Sequence, residues 1–433
     1  MSTATPTPSL VSLAQGILTD ATALQEELDK QQLPQPNFAA DGRRNYHDII
    51  FNAPASDARS KLIDSARMML RLAMGPAEIL HSTVMTERTG VMVLRAIWEL
   101  NLAEAVPLDG DISIDALAAA AGVHPIPLQR LIRFAYTMYI FQEPVGKPDY
   151  VAHTSVSAAI PAFSPYLWLQ LSATTKTHSA SFHFADAMKN WPKSPLELSD
   201  PQGRDFWAIL QQDEPDGKGM DRFSAAMNTY MKNMHGPSNA HFTNGFDWAA
   251  LGTGVVVDIG GGNGHNAVGI AKSFPQLEFI VQDLPKNEGP ASELLGEAGV
   301  EPEGRVRFQP HDFFNPQPGL QPPPKAYMLS RVLHDWTDED CVRILAPLLP
   351  GLRQGVRLLV VERVLPDRPG EVSLRQEAVL RTLDLLMFTF FGGGCERSRG
   401  QWELLFAKAD GDLKVKSIGV LPESELSILE VGF

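Results

Sequence analysis

The sequence predicts an α/β protein: a largely parallel, Rossmann-like sheet in the C-terminal part, preceded by an α-helical domain containing a winged-helix segment. Three observations predict it. From Phe246 onward, apolar runs at 255–259, 277–281, 305–309, 326–329 and 356–361 are separated by helical patterns, the alternation of a parallel sheet with ligands at the carboxyl ends of its strands. Val255-Val256-Val257 leads into Asp258-Ile259 and a glycine turn, Gly260-Gly261-Gly262-Asn263-Gly264. Residues 111–155 carry a helix-turn-helix pattern with a hairpin behind it.

After the glycine turn, apolar positions recur at helical spacing through Ala267, Ile270 and Ala271, and a second apolar run from Leu277 to Val281 stops at Asp283. This is a βαβ unit in which a carboxylate on the second strand can accept from ribose hydroxyls. A dinucleotide fingerprint would read G-x-G-x-x-G and aim a helix N-terminus at a pyrophosphate. Here an acid, Asp258, stands just before the turn, repelling phosphate and suiting a ligand with an amino group. S-adenosylmethionine (SAM) has a ribose, an adenine, an α-amino group and no phosphate. A purely structural strand-turn-helix is the competing reading of the glycines, and Asp283 weighs against it.

The 433 residues, 44% of them hydrophobic, can bury a full core and form two domains. A net charge of −14, from 37 basic and 51 acidic residues, argues against nucleic acid or an anionic membrane as partner. No stretch approaches the length of an apolar membrane span, and the first residues do not read as a secretory leader, so a cytoplasmic location is expected. Cys341 and Cys395 read as two free thiols, with neither a disulfide framework nor a metal-ligand cluster.

In chain order, Leu10, Leu13, Ile17, Leu24 and Leu28 give an amphipathic helix over 9–30, closed by the Pro34–Pro36 turn. A second helix is expected from about Asp57 to Met74, and helical spacing continues from Ile79 to Leu102. Their surplus apolar surface is economically placed in a dimer interface. Next come a helix over 116–121, the turn Gly122-Val123-His124-Pro125, a helix over 128–139 and a hairpin from Phe141 to Tyr150. Repressors use this layout to read DNA. Yet the second helix offers only Arg130 and Arg133 in an acidic segment, where a basic stripe would be needed, so a packing role is expected. Residues 160–245 are helical and rich in aromatics and methionine. Most of these read as core, while Met227 and Met231, one turn apart, suit an adaptable pocket for a flat apolar substrate. Asp312-Phe313 ends the third strand of the sheet, where the pair could frame an adenine or merely begin a turn.

After the fourth strand comes Ser330-Arg331-Val332-Leu333-His334-Asp335-Trp336-Thr337, followed by three acids that read as the first turn of a helix capped by Thr337. A lone histidine is usually structural, but His334 falls at the ligand edge of the sheet. Glu362 ends the fifth strand and Glu396 follows a glycine turn at 392–394. A histidine flanked by carboxylates is what proton removal from a hydroxyl requires, one acid fixing the tautomer and stabilising the imidazolium. Phenols and acidic enols are the expected acceptors, since a phenol at pKa about 10 is far easier to deprotonate than an aliphatic alcohol.

Asp-Ile-Gly-Gly-Gly-Asn-Gly, Gln282-Asp283-Leu284-Pro285, Leu333-His334-Asp335-Trp336, Glu362 and Gly394-Cys395-Glu396-Arg397 resemble the SAM-dependent O-methyltransferases that include plant caffeic-acid-type enzymes. The QDLP form and long N-terminus are closer to fungal secondary-metabolite members. The resemblance implies a Rossmann-like SAM-binding sheet, mostly parallel with an antiparallel last strand, over 241–433. It also implies an N-terminal helical dimerisation and substrate-lining domain over 1–240, winged-helix in part from about 85 to 155, and hence a homodimer. By the same resemblance His334 is the general base, flanked by Glu362 and Glu396, with no metal. Asp258, Gly260, Gly261, Gly262, Asp283, Leu284, Asp312 and Phe313 lie toward SAM, whose product is S-adenosylhomocysteine (SAH). Asp335, Trp336, Met387, Met227 and Met231 lie toward the acceptor, a hydroxylated aromatic or alkaloid metabolite. Plant members carry a cofactor-contacting lysine where this chain has Ser330, with Arg331 beside it, so Ser330 and Arg331 are the expected cofactor-side residues there. Two other readings compete: a non-methylating, pericyclase-like enzyme on the same fold, and a winged-helix regulator that senses SAM.

Overall fold

The computed structural model describes residues 8–42, 53–173, 175–212, 217–234, 240–289, 291–292, 304–420 and 425–433. Contacts divide the chain into two compact units, the first comprising residues 1–178 and 209–234, the second 179–208 and 235–433.

In the first unit, α1 (Leu10–Lys30) is capped by Ser9, whose side chain accepts from the Ser12 amide, and it packs on α2 (Ala53–His81). The apolar spacing expected for α2 stops near Met74 because Gly75 adopts φ 71° and Pro76 follows, yet the chain resumes its helix beyond them. A wide π-type turn, Ser82–Glu87, leads into α3 (Arg88–Glu99). The winged helix follows as β1 (Asp111–Ser113), α4 (Ile114–Ala121), α5 (Pro125–Thr137), β2 (Phe141–Gln142) and β3 (Tyr150–His153), with antiparallel strand order β1-β3-β2. Leu128, Ile132 and Ala135 of α5 are buried with Ile97, Leu117, Phe141 and Val151. The DNA-reading candidate is therefore a packing helix, and its Arg133 is paired with Asp149 at 3.1 Å. Then come α6 (Ser155–Leu171), with a Thr154 capping box, and α7 (Gly219–Met234), packed on one another through helix contacts that include a stacked Tyr166–Tyr230 pair.

The second unit is the α/β part: β4 (Gly254–Ile259), α8 (His265–Ser273), β5 (Leu277–Asp283), β6 (Val306–Pro310), β7 (Ala326–Ser330), α9 (Asp338–Leu345), β8 (Arg357–Glu362), α10 (Leu374–Phe391), α11 (Arg399–Ala409), β9 (Lys414–Val420) and β10 (Ser427–Gly432). The strand order is β9-β10-β8-β7-β4-β5-β6, with the five βα strands parallel and β10 antiparallel to β8. The chain reverses direction across the sheet between β4 and β7, the switch point at which such sheets bind ligands. Residues 179–208 belong with this unit, whereas a single cut after residue 240 would leave them with the first. The reason is aromatic packing: Phe184 meets Phe388 edge-on at 5.0 Å, and Phe206 stacks on Phe390 at 4.7 Å.

Candidate active site

At the carboxyl end of β4 the chain turns through Gly260 at φ 68° and Gly262 at φ 57°, conformations that L side chains avoid. Space is equally decisive. A Cβ on Gly260 would lie 2.9 Å from Val332 Cγ2, and one on Gly261 would lie 2.7 Å from Asp258 Oδ2. Asp283 ties the turn to β5. Its Oδ2 accepts from the Gly262 amide at 2.8 Å, and its Oδ1 accepts from the Leu284 amide and Asn287 Nδ2 at 2.7 and 2.8 Å. Since a carboxylate offers about four lone-pair sites, Asp283 keeps about one for a ribose hydroxyl, not two. Leu284 beside it is 43% exposed.

Asp258 is wholly buried and neither oxygen has a partner among the described residues. Burial, then the charge of Asp283, pushes its carboxyl up to about 7. An orphaned buried acid beside a glycine turn fits a ligand that brings its own cation, as the α-amino group of SAM does. The Phe313 ring stands 3.7 Å from the place of a Gly260 Cβ and is held edge-on by Trp336 at 5.9 Å. Trp336 also meets Phe314 at 5.2 Å, so it is anchored in an aromatic cluster. Asp312 is exposed and accepts from the Phe314 amide at 3.0 Å, a turn-forming contact. Ser330 accepts from Asn266 Nδ2 at 3.2 Å. Arg331 follows at φ 54°, its guanidinium within electrostatic reach of Glu362, Asp335 and Asp258 and its Nε without a hydrogen-bond partner among the described residues.

His334 sits in a single 3-10 turn, Leu333–Asp335, just after β7 and is 7% exposed. Its Nδ1 donates to Glu396 Oε1 at 3.1 Å and lies 3.5 Å from Glu362 Oε2, while its Nε2 lies 3.3 Å from Asp335 Oδ1. Glu396 also accepts from Arg363 Nη1 at 2.9 Å. Glu362 caps the turn as well as flanking the ring, because its Oε1 accepts the backbone N–H groups of Val332 and Leu333 at 3.0 Å and of His334 at 3.4 Å. Burial alone would lower the imidazole pKa. The charges of Glu362, Asp335 and Glu396, with the Glu396 hydrogen bond, outweigh it and raise His334 to about 9. Burial likewise opposes ionisation of Glu396, but His334 and Arg363 hold it down at about 2. Asp335 is pushed up to about 7, chiefly by burial. The site therefore keeps one acid firmly ionised against a strongly basic imidazole.

His334, Glu362 and Glu396 each present a ligand-capable atom within 4.8 Å of the others. One oxygen of each acid is engaged, Glu396 Oε1 by the Arg363 guanidinium and Glu362 Oε1 by three amides, while Glu362 Oε2 and Glu396 Oε2 have no hydrogen-bond partner among the described residues. Of the sequence candidates, Asp258, Gly260, Gly261, Gly262, Asp283, Leu284, Phe313, Ser330, Arg331, His334, Asp335, Glu362 and Glu396 all fall in the second unit at this end of its sheet. Met387 lies half-buried on α10, Met227 lies half-buried on α7 in the first unit, and the side chain of Met231 is outside what is described. Sequence reasoning gave no site role to Asn266 and Arg363, nor to Arg397 and Gly394, which it quoted only as part of a motif. For Gly394 the signal was present in the glycine run: a Cβ there would lie 2.7 Å from the His334 carbonyl oxygen.

Residues 215–411 match the family model of the O-methyltransferase domain, and residues 88–160 match that of the O-methyltransferase dimerisation domain. The chain is also 31% identical to the O-methyltransferase bik3 of Gibberella fujikuroi, over 97% of this chain and 92% of that protein. The chain belongs to the O-methyltransferase family. Among solved structures, this O-methyltransferase is similar to the mitomycin 7-O-methyltransferase MmcR, with a TM-score of 0.69 and 25% identity over 82% of this chain and 97% of that one. It is also similar to NcsB1 of neocarzinostatin biosynthesis, solved with SAH and 1,4-dihydroxy-2-naphthoic acid, with a TM-score of 0.62 and 25% identity over 79% and 95%. The enzyme is a SAM-dependent transferase with a small-molecule substrate. Its winged-helix layout coincides with the dimerisation match, and neither the regulator nor the non-methylating reading gains support. Among the described residues, no helix is long and apolar enough to cross a membrane.

Proposed function

We propose that this O-methyltransferase methylates a phenolic or enolic hydroxyl of an aromatic or alkaloid secondary metabolite, with His334 as general base. The observation that carries the reading is the carboxylate surround of His334. A phenol has a pKa of about 10, so handing its proton to an ordinary imidazole of about 6.5 is uphill by roughly 5 kcal/mol. Against the base form of an imidazole raised to about 9 the deficit of the transfer itself falls to about 1.4 kcal/mol, and that form accumulates as pH rises toward 9. Glu396 keeps Nδ1 protonated and leaves Nε2 to take the hydroxyl proton. Asp335 lies beside Nε2, where it can orient the hydroxyl. SAM, when bound, supplies an electrophilic methyl group to the acceptor oxygen and leaves as SAH. Asp258 would meet its ammonium group, Arg331 its carboxylate, Asp283 the ribose, and Phe313 with Leu284 the adenine. The hydroxynaphthoic acid of NcsB1 and the mitomycin of MmcR support a fused-ring acceptor.

Exposed Leu70, Leu80, Met85 and Met92, close to or within the segment that matches the dimerisation domain, support a homodimer. Both cysteines are free thiols, which suits a reducing cytoplasmic setting.

The test is mass spectrometry of the enzyme with SAM and a panel of hydroxylated naphthalenes, anthraquinones and indole alkaloids. SAH formed in equal amount to a product heavier by one methylene supports transfer. A product isomerised at constant mass, with SAM unconsumed, overturns it. Prolonged dialysis against EDTA is expected to leave kcat within twofold, and loss of activity restored by a divalent cation would contradict a metal-free site. Asp283→Ala is expected to weaken SAM binding by roughly 10- to 100-fold in calorimetry, the cost of a charge-assisted acceptor of about 1.5–3 kcal/mol. Because Asp283 also holds the Gly262 amide, Asp283→Asn should recover part of the loss. Unchanged affinity in Asp283→Ala would remove the assignment.

A further inference from the structure

The backbone that carries His334 is gripped from two sides. A single 3-10 turn has almost no hydrogen bonding of its own, so outside groups set its geometry. Glu362 supplies the acceptor at its N–H end. At its carbonyl end stands Arg397, 1% exposed. Arg397 Nη1 donates to the Leu333 carbonyl at 3.0 Å and Nη2 to the Trp336 carbonyl at 3.0 Å, bracketing His334 and Asp335. The other edge of the guanidinium is fixed by Asp338 Oδ1, at 3.2 Å from Nε and 3.0 Å from Nη2, and Lys408 holds the second Asp338 oxygen at 2.6 Å. Its flat face lies 5.2 Å from the Trp402 ring. Arg397 and Ser398 pair in parallel with Val364 and Leu365. Successive side chains of an extended segment point to opposite sides. Thus Glu396 reaches the imidazole while Arg397 reaches the backbone behind it.

We infer that Arg397 is a positioning residue for His334, acting through the Leu333 and Trp336 carbonyls; the inference rests on the reading of His334 as the base. The planar fork sets a separate nitrogen against each of the two carbonyls, a fixed geometry that the single nitrogen of a lysine ammonium does not reproduce. A cavity of about 330 Å³ opens beside it, between Arg397, Asp338, Cys395, Gln401 and Lys408, and is roomy enough to admit a small guanidinium ion.

The experiment compares Arg397→Ala, Arg397→Lys and, as control, exposed Arg399→Ala, using the full chain with SAM and an accepted phenol. Misplacing a reacting group by about 1 Å costs on the order of 100-fold. Arg397→Ala is therefore expected to lose about 10- to 100-fold in kcat while SAM Kd and acceptor KM stay within threefold. Methylguanidinium should restore at least about tenfold of that loss in the variant and nothing in the wild type. Arg397→Lys, which keeps the buried charge, should remain impaired, and it serves alone if the alanine variant does not fold. Wild-type kcat in either variant, loss of SAM binding in step with kcat, or a folded Arg397→Ala that guanidinium does not rescue overturns the inference. His334→Ala separates the two readings. Retained turnover there removes the base itself, whereas a dead His334→Ala beside a fully active Arg397→Ala removes only the positioning role.

Discussion

His334→Ala loses about 10²–10⁴-fold in kcat, the usual contribution of a positioned general base, while SAM binds within threefold of the wild type. The separation follows from location. The imidazole hydrogen-bonds Glu396, whereas the glycine turn is held by Asp283 and by hydrogen bonds that the Gly260 and Gly261 N–H groups donate to the Gln282 carbonyl, at 2.8 and 3.1 Å. Removing the ring does not touch that turn. It does leave Glu396 with Arg363 as its main cation, and Arg363 at 2.9 Å is close enough to keep it ionised, so the fold should survive. Steady-state kinetics together with calorimetric SAM titration decide the matter. Loss of SAM affinity in step with turnover would mean that His334 is structural.

Glu396→Gln moves the acidic limb of the pH–rate profile to lower pH. In the wild type the base form of His334 accumulates only as pH rises through its elevated pKa of about 9, so kcat/KM climbs toward that limb. Replacing the hydrogen-bonded carboxylate by an amide removes one of the charges that raise it. A partner charge at this distance is worth about 1–3 pKa units, and the limb should fall by that amount. Each unit of lost basicity makes proton transfer from a phenol costlier by about 1.4 kcal/mol, so the plateau rate falls as the limb moves. The positive charge of bound SAM lowers the limb in both proteins, which makes the difference at saturating SAM the proper readout. A limb that stays in place would show that Glu396 does not set the basicity of His334.

Much of this was legible in one dimension. Strand, glycine turn, helix and strand-end acid from Val255 to Asp283 are consecutive, and each depends on a local preference: β-branched runs, positive φ at glycine, helical spacing of small residues. The Thr337 cap is equally local. Asp312 shows where such reading divides, because the same residue satisfies a turn and a ligand-frame pattern and only the observed contact to the Phe314 amide displays one of them. The winged-helix layout was visible, but whether its second helix faces DNA or a core depends on the burial of Leu128 and Ile132.

The sequence by itself determined the class of sheet, the order of its strands along the chain and the acidic and glycine residues at their ends, since these follow from neighbours a few positions apart. Only the tertiary structure decided which charges meet. Glu396 reaches His334 across 62 positions, Arg363 reaches Glu396 across 33, and Arg397 reaches Leu333 across 64. Glu362 turned out to cap a turn as well as flank a ring, and Asp283 to brace the glycine loop from the end of β5. The physical reason is that a buried charge is tolerable only with a partner in space, and pairing through space leaves no period or spacing in the chain.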